Sequence, residues 1–241
     1  MNTTSSRPFP AWLAVLMVAA GTWLAAGCQP LVVMPGPEGQ TGPAGEKDPA
    51  WPEGRLYQID EAASEVRIVV YPAGPLARFG HPHVIGGEVL RGQVMVADPF
   101  EASALRLRID VQALTVDRPE WRVDEGFDPE MPPSAIEDTR ANMLSEALLD
   151  ADRHPEILIE SIGLSGPAWQ PDIDVRIELA GQQRELTIPV SLDFDESSLV
   201  ATGRFSFHQS DFGITPFSAA GGNLQVADQV LVRFRIVATQ P

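Results

Sequence analysis

The 241-residue chain contains a single cysteine, Cys28, so it can form no internal disulfide in any compartment. Its folded part has to be held by burial and hydrogen bonding. Lysine is almost missing as well. Lys47 is the only one, and 17 Lys and Arg stand against 33 Asp and Glu, a formal charge of −16. A surface of that sign repels phosphate backbones, which argues against a nucleic-acid partner. No phosphate loop or dinucleotide fingerprint is present, and Gly163-Leu164-Ser165-Gly166 lacks the Gly-x-Ser-x-Gly elbow of a serine hydrolase. That serine reads as a turn residue.

Long apolar runs are confined to one place. The uncharged stretch from Ala11 to Gly27 follows a start whose only charge is Arg7, the layout of a secretory signal. As a helix it would reach about 25 Å at roughly 1.5 Å per residue, short of the roughly 30 Å hydrocarbon core. The stretch ends in Leu24-Ala25-Ala26-Gly27-Cys28, which resembles a lipobox with Ala25 where a larger aliphatic is usual. The expectation is a signal peptide over 1–27, removed to leave an acylated Cys28. Loss of Arg7 would move the charge of the mature chain to −17 (16 Lys and Arg against 33 acids). Gln29 after the cysteine resembles the sorting signal for the outer membrane, on its periplasmic side. Residues 28–54 are rich in Pro and Gly and include four Gly-X-Y triplets between Gly36 and Lys47, too few for a collagen-like helix. They read as an extended spacer.

From residue 55 to 241 the pattern is that of one β domain. Val66, Ile68 and Val70 alternate with Glu65, Arg67 and Val69, and Leu105, Leu107, Ile109 and Val111 alternate with Arg106, Arg108 and Asp110. The same period of two runs through Ile173 to Leu179, Leu186 to Phe194, Leu199 to Phe207 and Val230 to Ile236. Each such strand has one apolar and one wet face. With shorter runs near Tyr57, Val94 and Ile157 there are about eight or nine strands, mostly antiparallel. Ala135 to Leu149 has helical spacing and reads as a single short helix packed on the sheet or across one end of it. Periodicity does not separate a closed barrel from a sandwich.

Three stretches bear on that choice: Leu56 to Asp60 with SEVRIVVY, residues 143 to 161, and residues 208 to 236. In their order and spacing they resemble the YceI-like family. The details are Leu149-Asp150 with His154-Pro155-Glu156-Ile157, the turn Ser210-Asp211-Phe212-Gly213-Ile214, and Val226 to Val230. The resemblance implies an exported, lipocalin-like antiparallel barrel of about eight strands that holds an isoprenoid or similar long-chain lipid and has no catalytic role. The chain departs from the pattern at Asp124 to Pro133, which lengthens one connection, and in a histidine pair at His81 and His83.

The inward faces supply candidate cavity residues strand by strand. They are Ile68, then Val94, then Leu107 and Ile109, and after these Ile177 with Ile188 and Val190. Phe205, Phe207, Val232 and Phe234 complete the set, with Ala201 and Gly203 small where bulk would close the space. A lipid burying about 400 Å² would gain roughly 10 kcal/mol gross. In Phe79-Gly80-His81-Pro82-His83-Val84 an extended backbone would turn both histidines to one side. The readings, in decreasing weight, are a hydrogen-bonded structural pair, contact with a ligand headgroup, and metal ligation in a redox or enzymatic accessory. Only His154 and His208 remain to complete a metal site, so no metal is assigned. The acids Asp124, Glu125, Asp128 and Glu130 lack EF-hand spacing and read as a solvated loop.

Expressed with its full N-terminus in a bacterial host, the chain should incorporate a palmitate analogue and fractionate with membranes, and Cys28→Ser should do neither. Unlabelled, soluble parent protein would end the lipoprotein reading.

Overall fold

A computed structural model describes residues 51–241; the signal segment, Cys28 and the spacer up to residue 50 lie outside the described residues. In chain order the strands are β1 (Arg55–Ile59), β2 (Glu65–Val70), β3 (Pro72–Ala73), β4 (His83–Gly87), β5 (Leu90–Val96), β6 (Ala104–Asp110) and β7 (Thr115–Val116). Two helices follow, α1 (Pro119–Asp124) and α2 (Pro133–Leu144). The chain returns to strand as β8 (Glu156–Ser165), β9 (Asp172–Leu179), β10 (Gln182–Phe194), β11 (Ser198–His208), β12 (Ser218–Ala219), β13 (Leu224–Val226) and β14 (Gln229–Thr239).

The alternation becomes inward and outward faces. On β9, Ile173, Val175, Ile177 and Leu179 are all buried while Asp172, Asp174, Arg176 and Glu178 are not. Eight strands pair antiparallel in the order β1-β5-β6-β8-β9-β10-β11-β14, and β14 returns to β1 through Gln58 opposite Thr239 and Ile59 opposite Ala238. That last pairing makes a barrel of what would otherwise be an open sheet. The β9–β10 turn, Ala180-Gly181, has positive φ at both residues (49° and 73°), the backbone of a type I′ hairpin. A Cβ on Gly181 would also come within 2.6 Å of the His154 ring, which ties the hairpin to the His154-Pro155 stretch.

The wall is divided near the N-terminus. β1 and β2 lie along the same edge of β14, and β4 and β7 extend outward from β2. Between β1 and β2 the chain leaves the ladder and returns at Ser64, which is 1% exposed. Its Oγ accepts from the Val237 N–H (2.9 Å) and donates to the Val237 carbonyl (3.2 Å). A serine hydroxyl thus replaces a missing ladder partner.

The helices differ from expectation. α2 begins two residues before Ala135, with proline in its first turn, and ends at Leu144 because Ser145 is extended. Leu148 and Leu149 continue in turns beyond it. The six-residue α1 was not anticipated, since it is too short to show a period. Burial of Trp121 and Arg122 holds it, together with the Arg118 guanidinium 4.4 Å from the Trp121 ring.

The acidic run is likewise no simple solvated loop. Arg67 and Arg233 face each other across β2 and β14, a like-charge pair that would repel. Asp124 pairs with Arg67 (2.9 Å) and Glu125 with Arg233 (3.4 Å), so the end of α1 neutralises the pair and clasps the outer wall.

Ser64→Ala should destabilise the fold by about 1–3 kcal/mol, because the part-buried Val237 N–H loses its acceptor. Urea denaturation with an unchanged m-value checks this.

Candidate functional site

One end of the barrel is plugged. Tyr57 is fully buried, and its hydroxyl donates to the Asp195 carbonyl in the β10–β11 turn (2.7 Å). Phe100 and Phe194 stack near it with ring centroids 6.1 Å apart. Beyond this plug lies a cavity of about 330 Å³, within the usual range of small-ligand sites. Side chains of α2, the turn after β11 and β13 complete its lining at the other end.

The structure brings together all the candidate cavity residues but one. Ile68, Leu107, Ile109, Ile177, Ile188 and Val190 line the space. So do Phe205, Phe207, Val232 and Phe234. Val94 does not: it pairs with Tyr57 on one side and Leu105 on the other, at the depth where the tyrosine fills the barrel. Alternation gave its face correctly but not its depth. Gly203 is a second correction. A Cβ there would meet the Phe234 ring at 2.5 Å, so the room above the glycine is taken by that ring, and only Ala201 of the two small residues borders the cavity. Phe205, Phe207, Phe212 and Phe234 form a chain of ring contacts 5.3 to 6.5 Å apart along this wall.

The histidine pair is split. His81 is exposed and is not part of the lining, whereas His83, the first residue of β4, borders the cavity. The ladder starts at His83 and fixes its direction, while Pro82 and His81 stand outside it. The His83 Nδ1 lies 2.6 Å from Oδ2 of Asp117, whose side chain is completely buried. The other carboxylate oxygen accepts from the Val84 N–H (2.9 Å) and from Arg122 Nη1 (2.7 Å). Arg122, itself 2% exposed, also donates to the carbonyls of Pro82 (2.8 Å) and Asp128 (2.6 Å). Among the described residues no group of three or more His, Cys, Asp or Glu side chains is placed to hold a metal.

Burial pushes the Asp117 carboxyl up, but the donors from His83, Val84 and Arg122 outweigh it and hold the group below the usual carboxylate range. The backbone serves the same contact. Asp117 has φ of 54°, a left-handed conformation aspartate tolerates, and its own N–H donates to the Val84 carbonyl (2.7 Å).

The helix lies across one end of the barrel, one of the two placements its spacing allows, but the residues that form the roof of the cavity were not among the candidates. Thr139, Asn142 and Met143 of α2, and Phe212 and Ile214 of the turn after β11, all border it. Gly213 was the available signal. Its φ of 72° closes that turn, and Ser210 is fastened to Asp228 through both its N–H (2.9 Å) and its hydroxyl (2.6 Å). Asp117, the partner of His83, and Arg122 behind it gave no signal, being 34 and 39 positions further along the chain.

A closed eight-stranded antiparallel barrel with an apolar interior defines a lipocalin-like fold. A family model of the YceI-like domain matches residues 57–238, and the chain belongs to that family. The crystal structure of Burkholderia cenocepacia BcnA is similar with a TM-score of 0.56 at 16% identity, covering 75% of this chain and 99% of BcnA. A YceI protein of Campylobacter jejuni gives a TM-score of 0.47 at 9% identity, over 63% of this chain and 81% of that one. At these identities the likeness speaks to the fold alone. A search of the curated proteins finds no match.

Asp117→Asn should cost about 3–5 kcal/mol at neutral pH, since the buried Arg122 loses its counter-charge. The folded carboxyl lies below its unfolded value, so its contribution is complete above about pH 4 and disappears as pH falls through the lowered folded value. Thermal unfolding from pH 7 to pH 2 should show a shallower acid loss in Asp117→Asn than in the parent.

Proposed function

We propose that this protein is a non-enzymatic, lipid-anchored carrier that holds an isoprenoid, a quinone or a fatty-acyl amphiphile in its barrel. The observation that carries the reading is the distribution of polarity in the cavity. Its wall is aliphatic and aromatic throughout, and the polar residues bordering it are His83, Thr139, Asn142 and Gln209. All four come from elements at the end away from the Tyr57 plug: the start of β4, the helix α2 and the turn after β11. An amphiphile fits such a space with its chain inside and its head at that end. Membership of the YceI-like family is compatible with a hydrophobic ligand.

The anchor belongs to the same proposal. Acyl chains on Cys28 would each contribute about 0.8 kcal/mol per buried CH₂ and keep the barrel at a bilayer, with the outer membrane facing the periplasm favoured by Gln29. The partners are then a membrane and a hydrophobic small molecule. A packed β interaction module is the competing reading, and a cavity of 330 Å³ disfavours it.

Ile109 is buried and borders the cavity, so Ile109→Trp separates the two readings. In a carrier the variant should unfold at close to the parental temperature while yielding less extractable lipid. In a filled barrel the larger ring would cost about 1–3 kcal/mol. A destabilised variant beside a parent that carries no lipid would overturn the proposed function.

A further inference from the structure

We infer that the cavity selects amphiphiles whose polar end is a hydrogen-bond donor, a hydroxyl, phenol or amide N–H, because the polar side chains fixed at its border present acceptors. The inference rests on the carrier reading and adds the chemistry of the head.

His83 is fixed first. Asp117 is a carboxylate with a guanidinium and a backbone N–H already directed at it, and a carboxylate only accepts. The 2.6 Å contact with Nδ1 therefore requires the proton on Nδ1. In the neutral imidazole, Nε2 is then bare and can only accept. Arg122 already balances the charge of Asp117, so nothing in the network calls for a second cation at the edge of an apolar space. Nε2 has no hydrogen bond to another described residue, yet no sealed side-chain nitrogen or oxygen is left unpartnered. It therefore keeps accessible surface, on a side chain that borders the cavity.

Gln209 reaches the same result independently. Its Nε2 donates to the Ala227 carbonyl (2.9 Å), which can only accept, so the amide orientation is set and Oε1 has no hydrogen bond from another described residue. Thr139 and Asn142 can turn to suit either kind of head and do not discriminate. A ligand ending only in acceptors, such as an ether, ester or quinone carbonyl, would leave His83 Nε2 and Gln209 Oε1 desolvated and unpaired. Buried unpaired acceptors cost more than a formed bond contributes, so the discrimination exceeds that of one ordinary hydrogen bond.

The test is native mass spectrometry of the full-length protein with an equimolar mixture of geranylgeraniol and geranylgeranyl methyl ether, which share a chain and differ in the donor. The alcohol complex should exceed the ether complex by about fivefold or more. His83→Ala, which leaves Asp117 its bonds from Arg122 and Val84, should lower the ratio, and His83→Ala combined with Gln209→Ala should bring it close to one. In ¹⁵N NMR of the parent, the His83 ring should carry its proton on Nδ1. Equal binding of both compounds by the parent, a preference that survives His83→Ala combined with Gln209→Ala, or a proton on Nε2 overturns the donor selection while the carrier reading stands. Failure of both compounds to bind overturns the carrier reading itself.

Discussion

The short pairing of β1 with β14 is the contact on which the rest depends. Only Gln58 and Ile59 meet Thr239 and Ala238, yet this joins the two ends of an eight-strand sheet and removes its edges. Once closed, the apolar faces have only one another to meet. A barrel of eight strands has an interior barely wide enough to stay open, so the size of each side chain decides where space remains. Tyr57, Phe100 and Phe194 consume one end, while aliphatic residues with the aromatic chain from Phe205 to Phe234 line the other. The cavity follows from closure plus this uneven distribution of bulk.

The buried charges depend on the same wall. Asp117 and Arg122 would be costly isolated, but they bond each other, and their other side-chain hydrogen bonds run to the segment around β4 or to the loop after α1. The network thereby fastens the connection after β7 to the barrel and holds one imidazole at the cavity border. It joins the outer layer, where Val69 and Val84 are fully buried, to the inner one, where His83 and Ile85 face the ligand space. A deviation from the family pattern, the histidine pair, thus contains one residue of structural and chemical consequence and one that is exposed.

Much of the wall was legible from the residues. A period of two is local to a strand, so Leu107, Ile109, Ile177, Ile188 and Val232 could be assigned an inward face before any pairing was known, and all of them border the cavity. The stretches shared with the YceI-like family turned an undecided sheet into an expected barrel. A helix across one end was one of two open placements, but the roof residues were not legible, because side chains of α2 and the Phe212 turn reach the cavity only by folding over one end of it.

What the residues determined by themselves is which way side chains point, since alternation needs only the chain's own pleat, and which turns are tight, since Gly181 and Gly213 need positive φ. Depth along the barrel axis was decided only by tertiary structure. Val94 has the right face but sits at the level of Tyr57, and the space over Gly203 belongs to a ring thirty-one positions later in the chain. The separation of His81 from His83 was decided there too. Two residues apart in extended chain they should share a face, but the ladder begins between them, and a carboxylate brought from β7's far end claims only the second. Face is a property of neighbours in sequence, whereas depth and partner depend on which distant strands close the barrel.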